Sequence, residues 1–284
     1  MAVAWASRLR TYAGFVKLEH TLFSLPLIYA GAIAGAGGWP SPSLFGWILL
    51  AAIGGRVAAM GLNRLLDAEI DRRNPRTQRR ELPSGAMQRW EGWLVVALGM
   101  LVYVASAAAL GPLCLRLSPI PVALFAVYPL LKRFTWWCHA GLGLAWSMGP
   151  LGGWIVGAQS LAHLDRAASL WLFSLLWVTG FDVIYATMDE AFDRAEGIYS
   201  VPSRFGRARA LKIAAVLHGM AFGSLMTFWR ESSQSVAGLI ALAVVAALFI
   251  WQHIVADKHT EFAFFQLNAA QGLAVFLFTV IAIA

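Results

Sequence analysis

Apolar residues run through this chain in long stretches, with charged residues gathered at their ends. No Asp, Glu, Lys or Arg interrupts Thr21 to Gly55, Gly92 to Leu115, Ala140 to Ala162, Ser232 to Ala256 or Phe262 to Ala284. A helix needs about 20 apolar residues to cross a bilayer, so runs of this length predict transmembrane helices. Breaking them at "GGWPSP", at "RLSP" and at the charged loops yields about nine spans: residues 20–38, 44–70, 91–112, 118–131, 139–160, 168–190, 209–229, 234–255 and 262–284. The expected fold class is therefore an all-α integral membrane bundle. No polar linker longer than about 20 residues separates any two spans, so residues 1–284 are expected to form a single transmembrane domain.

Composition agrees with this reading. The chain is 59% hydrophobic and 13% charged, with a mean hydropathy of +0.65, outside the usual range for a soluble domain. A net charge of +7 raises nucleic acid as a partner, but the placement of the basic residues argues against it. Outside the spans, every Lys and Arg except Arg116, Arg166 and Arg230 falls in the N-terminal segment or in the loops after spans 2, 4, 6 and 8. That asymmetry predicts a cytoplasmic N-terminus and an outside C-terminus. Arg8, Arg10, Lys17 and Glu19 precede the first span with no cleavage-site pattern before it, so no cleavable signal is expected. Cys114 and Cys138 fall at span ends on opposite faces and are not expected to bridge. His20, His139, His163, His218, His253 and His259 lack metal-ligand spacing and receive no role.

The acidic residues change the picture more. Arg56, Met60, Asn63, Asp67 and Asp71 recur at intervals of three or four and so form one stripe down span 2. "DVIYATMDEAFDR" likewise places Asp182, Tyr185, Asp189 and Asp193 on one stripe at the end of span 6. Both spans are even-numbered, so both stripes reach the cytoplasmic face. Seven of the 15 acidic residues lie in these two segments, although acids at a helix C-terminus oppose its dipole and like charges four apart repel. A hard divalent cation resolves the conflict: Mg2+ is commonly held by one or two carboxylates plus the phosphates of a substrate. Arg72, Arg73, Arg76, Arg79 and Arg80, with Arg194 beyond the second cluster, are placed to clamp phosphate oxygens. Acids and arginines at one mouth point to a metal-diphosphate site at the membrane surface.

"NRLLDAEID" resembles the N-x3-D-x3-D motif of the UbiA-type intramembrane prenyltransferases, and "DVIYATMDEAFDR" resembles their D-x2-Y-x3-D-x3-D motif. The likeness continues in "KLEHTLFSLPLIYAGA", "NPRT", "LPSG", "YPLLKRFTWW" and "GPLGGWI". The resemblance implies about nine transmembrane helices around a central cavity, Mg2+ dependence, and transfer of a polyprenyl chain from polyprenyl diphosphate to an aromatic acid such as 4-hydroxybenzoate, within membrane lipid. It also implies a prokaryotic cell membrane with the active-site mouth on the cytoplasmic side. Carried over by position, Asn63, Asp67 and Asp71 resemble the first metal-diphosphate cluster, Asp189 and Asp193 the second, and Tyr185 the motif tyrosine beside the diphosphate or the reacting carbon. Lys132 and Arg133 match the basic pair near the acceptor, and Arg56 is a second candidate to hold its carboxylate. Arg64 and Glu81 depart from the ubiquinone branch and look closer to menaquinone-type members, whose acceptor is a dihydroxynaphthoate.

The implied chemistry is loosening of the allylic carbon–oxygen bond, attack by an electron-rich phenol ring ortho to its hydroxyl, and exclusion of water. Asp189 is the candidate to orient or deprotonate the phenol. Trp146, Trp154, Phe173 and Trp177 are candidates to line the cavity. The competing class is a transporter, since intramembrane carboxylates also mark ion pathways, but these would sit nearer the bilayer midplane among broken helices.

Overall fold

The computed structural model describes residues 2–17 and 21–284; Glu19 and His20 lie outside the described residues. Among the described residues the regular structure is helical throughout. In chain order the helices are α1 (Ala2–Val16), α2 (Thr21–Ala36), α3 (Pro42–Arg73), α4 (Arg89–Ala109), α5 (Pro112–Leu117), α6 (Pro119–Leu131), α7 (Cys138–Ala158), α8 (Leu164–Ala186), α9 (Glu190–Ala195), α10 (Val201–Phe205), α11 (Arg207–Glu231), α12 (Val236–Val255) and α13 (Thr260–Ile283). Seven segments are long and apolar enough to cross a membrane: α3, α4, α5 with α6, α8 with α9, α11, α12 and α13. The shorter α2 and the glycine-rich α7 occupy the places of the other two expected spans.

Three boundaries differ from the sequence expectation for local reasons. The "RLSP" break is a kink rather than a loop, because Ser118 stays helical between α5 and the proline-led α6. The second acidic stripe is not one continuous α-helix: α8 tightens into a 3-10 turn at Thr187–Asp189 before α9 resumes. An additional helix, α1, precedes the spans and packs Phe15 and Val16 against Leu65, Ala68 and Val96 of α3 and α4.

Without a hydrophobic drive between helices in lipid, close backbone packing must hold the bundle together. The α2–α7 contact shows it: a Cβ on Gly31 or Gly35 would collide with the carbonyls of Pro150 and Trp154, and one on Gly153 or Gly157 with those of Ile28 and Ala32. α8 is largely buried and contributes Phe173, Trp177 and Phe181 to the main core with α11, α12 and α13. Polar side chains of that core bond one another: Trp177 Nε1 donates to Asn268 Oδ1 (3.1 Å), which also accepts from Gln252 Nε2 (3.0 Å). Outer positions such as Leu94, Leu98 and Leu101 of α4, and Ile240, Val244 and Ile250 of α12, are exposed and apolar, as a lipid-facing surface demands.

Candidate active site

α3 has 32 residues, about 48 Å at 1.5 Å per residue, while the hydrocarbon core is about 30 Å thick. The helix therefore projects past the apolar layer, and its far end carries Asn63, Asp67 and Asp71. The loops after spans 2, 4, 6 and 8 meet at this same end. Asn74 Nδ2 donates to Asp189 Oδ1 (2.8 Å), Tyr199 N to Lys132 O (2.8 Å) and Arg207 Nε to Asp257 Oδ1 (2.8 Å). Both acidic stripes open into one cavity of about 890 Å³. Its charged end holds Asn63, Asp67, Asp71, Tyr185, Asp189 and Asp193, while Ile28, Ile48, Ile155, Val156 and Leu161 make the rest apolar.

Each of three carboxylates meets a cation, two from the loop between α3 and α4 and one from the turn after α6. Lys132 Nζ lies 2.6 Å from Asp67 Oδ2, and Arg80 Nη1 reaches both oxygens of Asp71 at 2.7 and 2.8 Å. Arg76 forks onto Asp189, with Nε 2.8 Å from Oδ1 and Nη2 on Oδ2, while its Nη1 donates to the Tyr185 hydroxyl (2.8 Å) and its guanidinium lies 4.9 Å from that ring's centroid. Burial pulls the Arg76 guanidinium toward losing its proton, but the hydrogen bonds and charges of Asp189 and Tyr185 outweigh this and hold it above the ordinary arginine value. A raised value stabilises the fold below the unfolded-state pKa and is lost only above the folded one, so this contribution persists at every working pH. Asp193 accepts from Ser200 Oγ (2.9 Å).

The structure separates the expected site residues into two groups. Asn63, Asp67, Asp71, Arg56, Arg76, Lys132, Tyr185, Asp189 and Asp193 all line the cavity. Arg72, Arg133 and Arg194 do not: Arg72 pairs with Glu69 at 3.4 Å, Arg194 with Glu190 at 2.7 Å, and Arg133 Nη2 donates to the Leu66 carbonyl (2.6 Å). The helical repeat turns Arg72 and Arg194 off the acidic face, while Arg133 sits in the turn after α6, outside any helix. Arg56 lies deeper, its guanidinium 5.6 Å from the Trp146 ring centroid. Of the four span aromatics expected around the cavity, Trp146 lines it, whereas Trp154, Phe173 and Trp177 are buried in packing.

Sequence reasoning passed over His139, Asn74 and Ser200. His139 Nε2 accepts from the Val201 N–H (3.1 Å), so its proton sits on Nδ1 and is shared with Asp182 Oδ2 (2.6 Å). No spacing rule links His139, Asp182 and Val201, because they meet only when α7, α8 and α10 converge. Asn74 carried a signal in "NPRT", which places it just past the α3 terminus.

The donor set fits a hard divalent ion. Asn63, Asp67, Asp71, Asp189 and Asp193 bring amide and carboxylate oxygens to one end of the cavity, and Asp67 Oδ1 is buried with no hydrogen-bond partner, an acceptor that a cation would complete. Among the described residues no three acidic, histidine or cysteine side chains are close enough to hold an ion unaided; Mg2+ commonly takes its other ligands from water and from the phosphates of a substrate.

Known proteins place this geometry. The chain is similar to the mitochondrial 4-hydroxybenzoate polyprenyltransferase of Drosophila pseudoobscura pseudoobscura, 30% identical over 94% of this chain and 69% of the relative. Its fold matches the apo structure of a UbiA homolog from Aeropyrum pernix K1 (TM-score 0.85, 32% identity, 93% of this chain and 98% of that one). It also matches a UbiA homolog from Archaeoglobus fulgidus bound to GPP and Mg2+ (TM-score 0.70, 17% identity, 95% and 99%). Residues 24–271, which run from α2 into α13 and enclose both acidic stripes, match the UbiA prenyltransferase family, and the chain belongs to it.

Proposed function

We propose that the whole chain acts as one catalytic unit. It transfers a polyprenyl group from polyprenyl diphosphate to 4-hydroxybenzoate, using Mg2+, with the acidic mouth and N-terminus facing the cytoplasm or its topological equivalent. The observation that carries this reading is the single cavity with an acid-and-cation end and an apolar remainder. An allylic diphosphate has the same two halves, and its hydrocarbon is stabilised by about 0.8 kcal/mol per buried CH2. Support for the acceptor comes from the fly relative, a 4-hydroxybenzoate polyprenyltransferase, and support for the ion from the Archaeoglobus complex.

Asn63, Asp67, Asp71, Asp189 and Asp193 would hold the ion, which when bound neutralises charge on the departing diphosphate. Arg76, Arg80 and Lys132 now rest on Asp189, Asp71 and Asp67, and these cations are the groups that meet the phosphate oxygens. Tyr185 is fixed by Arg76 beside the bond that breaks. Arg56, held against Trp146, takes the acceptor's carboxylate and aims the ring carbon ortho to the hydroxyl at the allylic carbon. The ring's electron pair forms the carbon–carbon bond as the carbon–oxygen pair leaves with diphosphate, and the displaced ring proton passes to a carboxylate, for which Asp189 is the candidate. The apolar walls keep water from the electrophilic carbon.

The test is prenyl transfer in liposomes with geranyl diphosphate and either 4-hydroxybenzoate or 1,4-dihydroxy-6-naphthoate, with Mg2+ or EDTA, beside Asp67→Ala. Metal-dependent product from 4-hydroxybenzoate, lost in the variant, supports the reading; product from the naphthoate alone moves the acceptor, and failure to bind a diphosphate refutes the reaction.

A further inference from the structure

Arg64 is 3% exposed, and its Nε and Nη1 are buried without a hydrogen-bond partner. It lies three residues before Asp67 and seven before Asp71, on the same face of α3, and it lines the same cavity. Its electrostatic neighbours are Arg80, Glu81, Asp71 and Tyr185, which puts it at the acidic end rather than beside Arg56 and Trp146.

A buried guanidinium ordinarily finds a carboxylate. Neither Asp67, one helical turn on, nor its electrostatic neighbour Glu81 bonds to it: Asp67 Oδ1 and Glu81 Oε2 are themselves buried without hydrogen-bond partners. Unbonded donors on a residue that lines a cavity mark a place where a ligand completes them. The donors call for an anion, and the planar guanidinium fork matches the oxygens of a phosphate.

We propose that Arg64 is a further substrate-binding residue, donating charge-assisted hydrogen bonds to the diphosphate of the prenyl donor. The inference rests on the prenyl-transfer reading above and adds to it a ligand that no acidic motif predicts. Burying the unpaired Arg64 strains the ligand-free protein, and binding relieves that strain. Arg64 thus ties the stability of α3 to occupancy of the diphosphate site.

The full chain, purified in detergent with Mg2+, tests this through Arg64→Gln and Arg64→Lys. Titration uses geranyl diphosphate and, separately, inorganic diphosphate; thermal unfolding is followed without ligand, and KM is measured for each substrate. In Arg64→Gln the Kd for both diphosphates is expected to rise about 10- to 100-fold, with Arg64→Lys between it and the wild type. The KM for the aromatic acid should stay within about twofold, and the ligand-free Tm should hold or rise, because an unpaired buried charge has gone. An unchanged Kd overturns the proposal, whether or not Tm falls. So does a KM increase confined to the aromatic acid, which would give Arg64 to the acceptor's carboxylate. Wild-type protein that binds neither diphosphate would refute the prenyl-transfer reading itself, an outcome visible before any variant is compared.

Discussion

Gly54 and Gly46 lie on the same helix, α3, but in different surroundings, and alanine at each isolates what backbone contact contributes to the bundle. A Cβ on Gly54 would sit 2.6 Å from the Tyr103 nitrogen and 2.8 Å from the Gly99 oxygen of α4, whereas one on Gly46 meets nothing within 4 Å. Ordinary contact begins near 3.4 Å, so α3 and α4 must part by about 0.8 Å to admit the methyl group at Gly54. Overpacking of this size typically costs about 1–3 kcal/mol, while replacing a helical glycine gains up to about 1 kcal/mol. Gly54→Ala should therefore be less stable by about 1–2 kcal/mol, and Gly46→Ala equal to or above the wild type. At about 2–4 °C per kcal/mol, the two variants should differ in Tm by about 2–12 °C in detergent. The strain should be released outward, because α4 exposes Leu94, Leu98 and Leu101, whereas α3 is tied through Asp67 to Lys132 after α6 and through Asp71 to Arg80 of its own following loop. Prenyl transfer below the unfolding temperature should then fall no more than a few-fold. Equal Tm values for the two variants would refute the close packing of α3 on α4. A loss of about 100-fold in activity would show instead that α3 yields and misplaces its carboxylates.

Other substitutions divide the site by geometry. Arg76→Lys keeps the charge but cannot reproduce the fork onto Asp189 together with the bond to Tyr185, so kcat/KM should drop about 10- to 100-fold in the prenyl-transfer assay; activity within twofold would remove Arg76 from the site. Arg72→Ala and Arg194→Ala, each breaking an exposed pair outside the cavity, should stay within about twofold of wild type, and a large loss in either would mean the active state gathers them inward. His139→Gln can still accept from Val201 and donate to Asp182, whereas His139→Leu strands both groups and should lower stability by about 2–4 kcal/mol relative to Gln; equal melting of the two would deny the neutral-tautomer bridge.

Much of the site was legible along single helices. Asn63, Asp67 and Asp71 share a face because a four-residue step returns to the same side of a helix, and their common depth with Tyr185 and Asp189 follows from the even numbering of the two spans. The same reasoning overreached for Arg72 and Arg194, since an arginine near an acidic cluster in sequence can project from the opposite side of its helix. It also ran the second stripe through one unbroken helix, although the turn at Thr187–Asp189 sets Asp193 on a separate short one. No local pattern in the sequence reports that turn.

Taken alone, the sequence determined that this chain lies in a membrane, where its apolar helices run, which end of the spans is charged and which carboxylates gather there. Hydropathy and helical periodicity are properties of consecutive residues, and they suffice for those conclusions. Only the tertiary structure decided which cation rests on which acid, that His139 holds Asp182, that glycine lets α2 meet α7 backbone to backbone, and that Arg64 is buried without a partner. Each of these depends on groups from different helices arriving within about 3 Å of one another, a distance set by packing across the bundle and carried by no local stretch of chain.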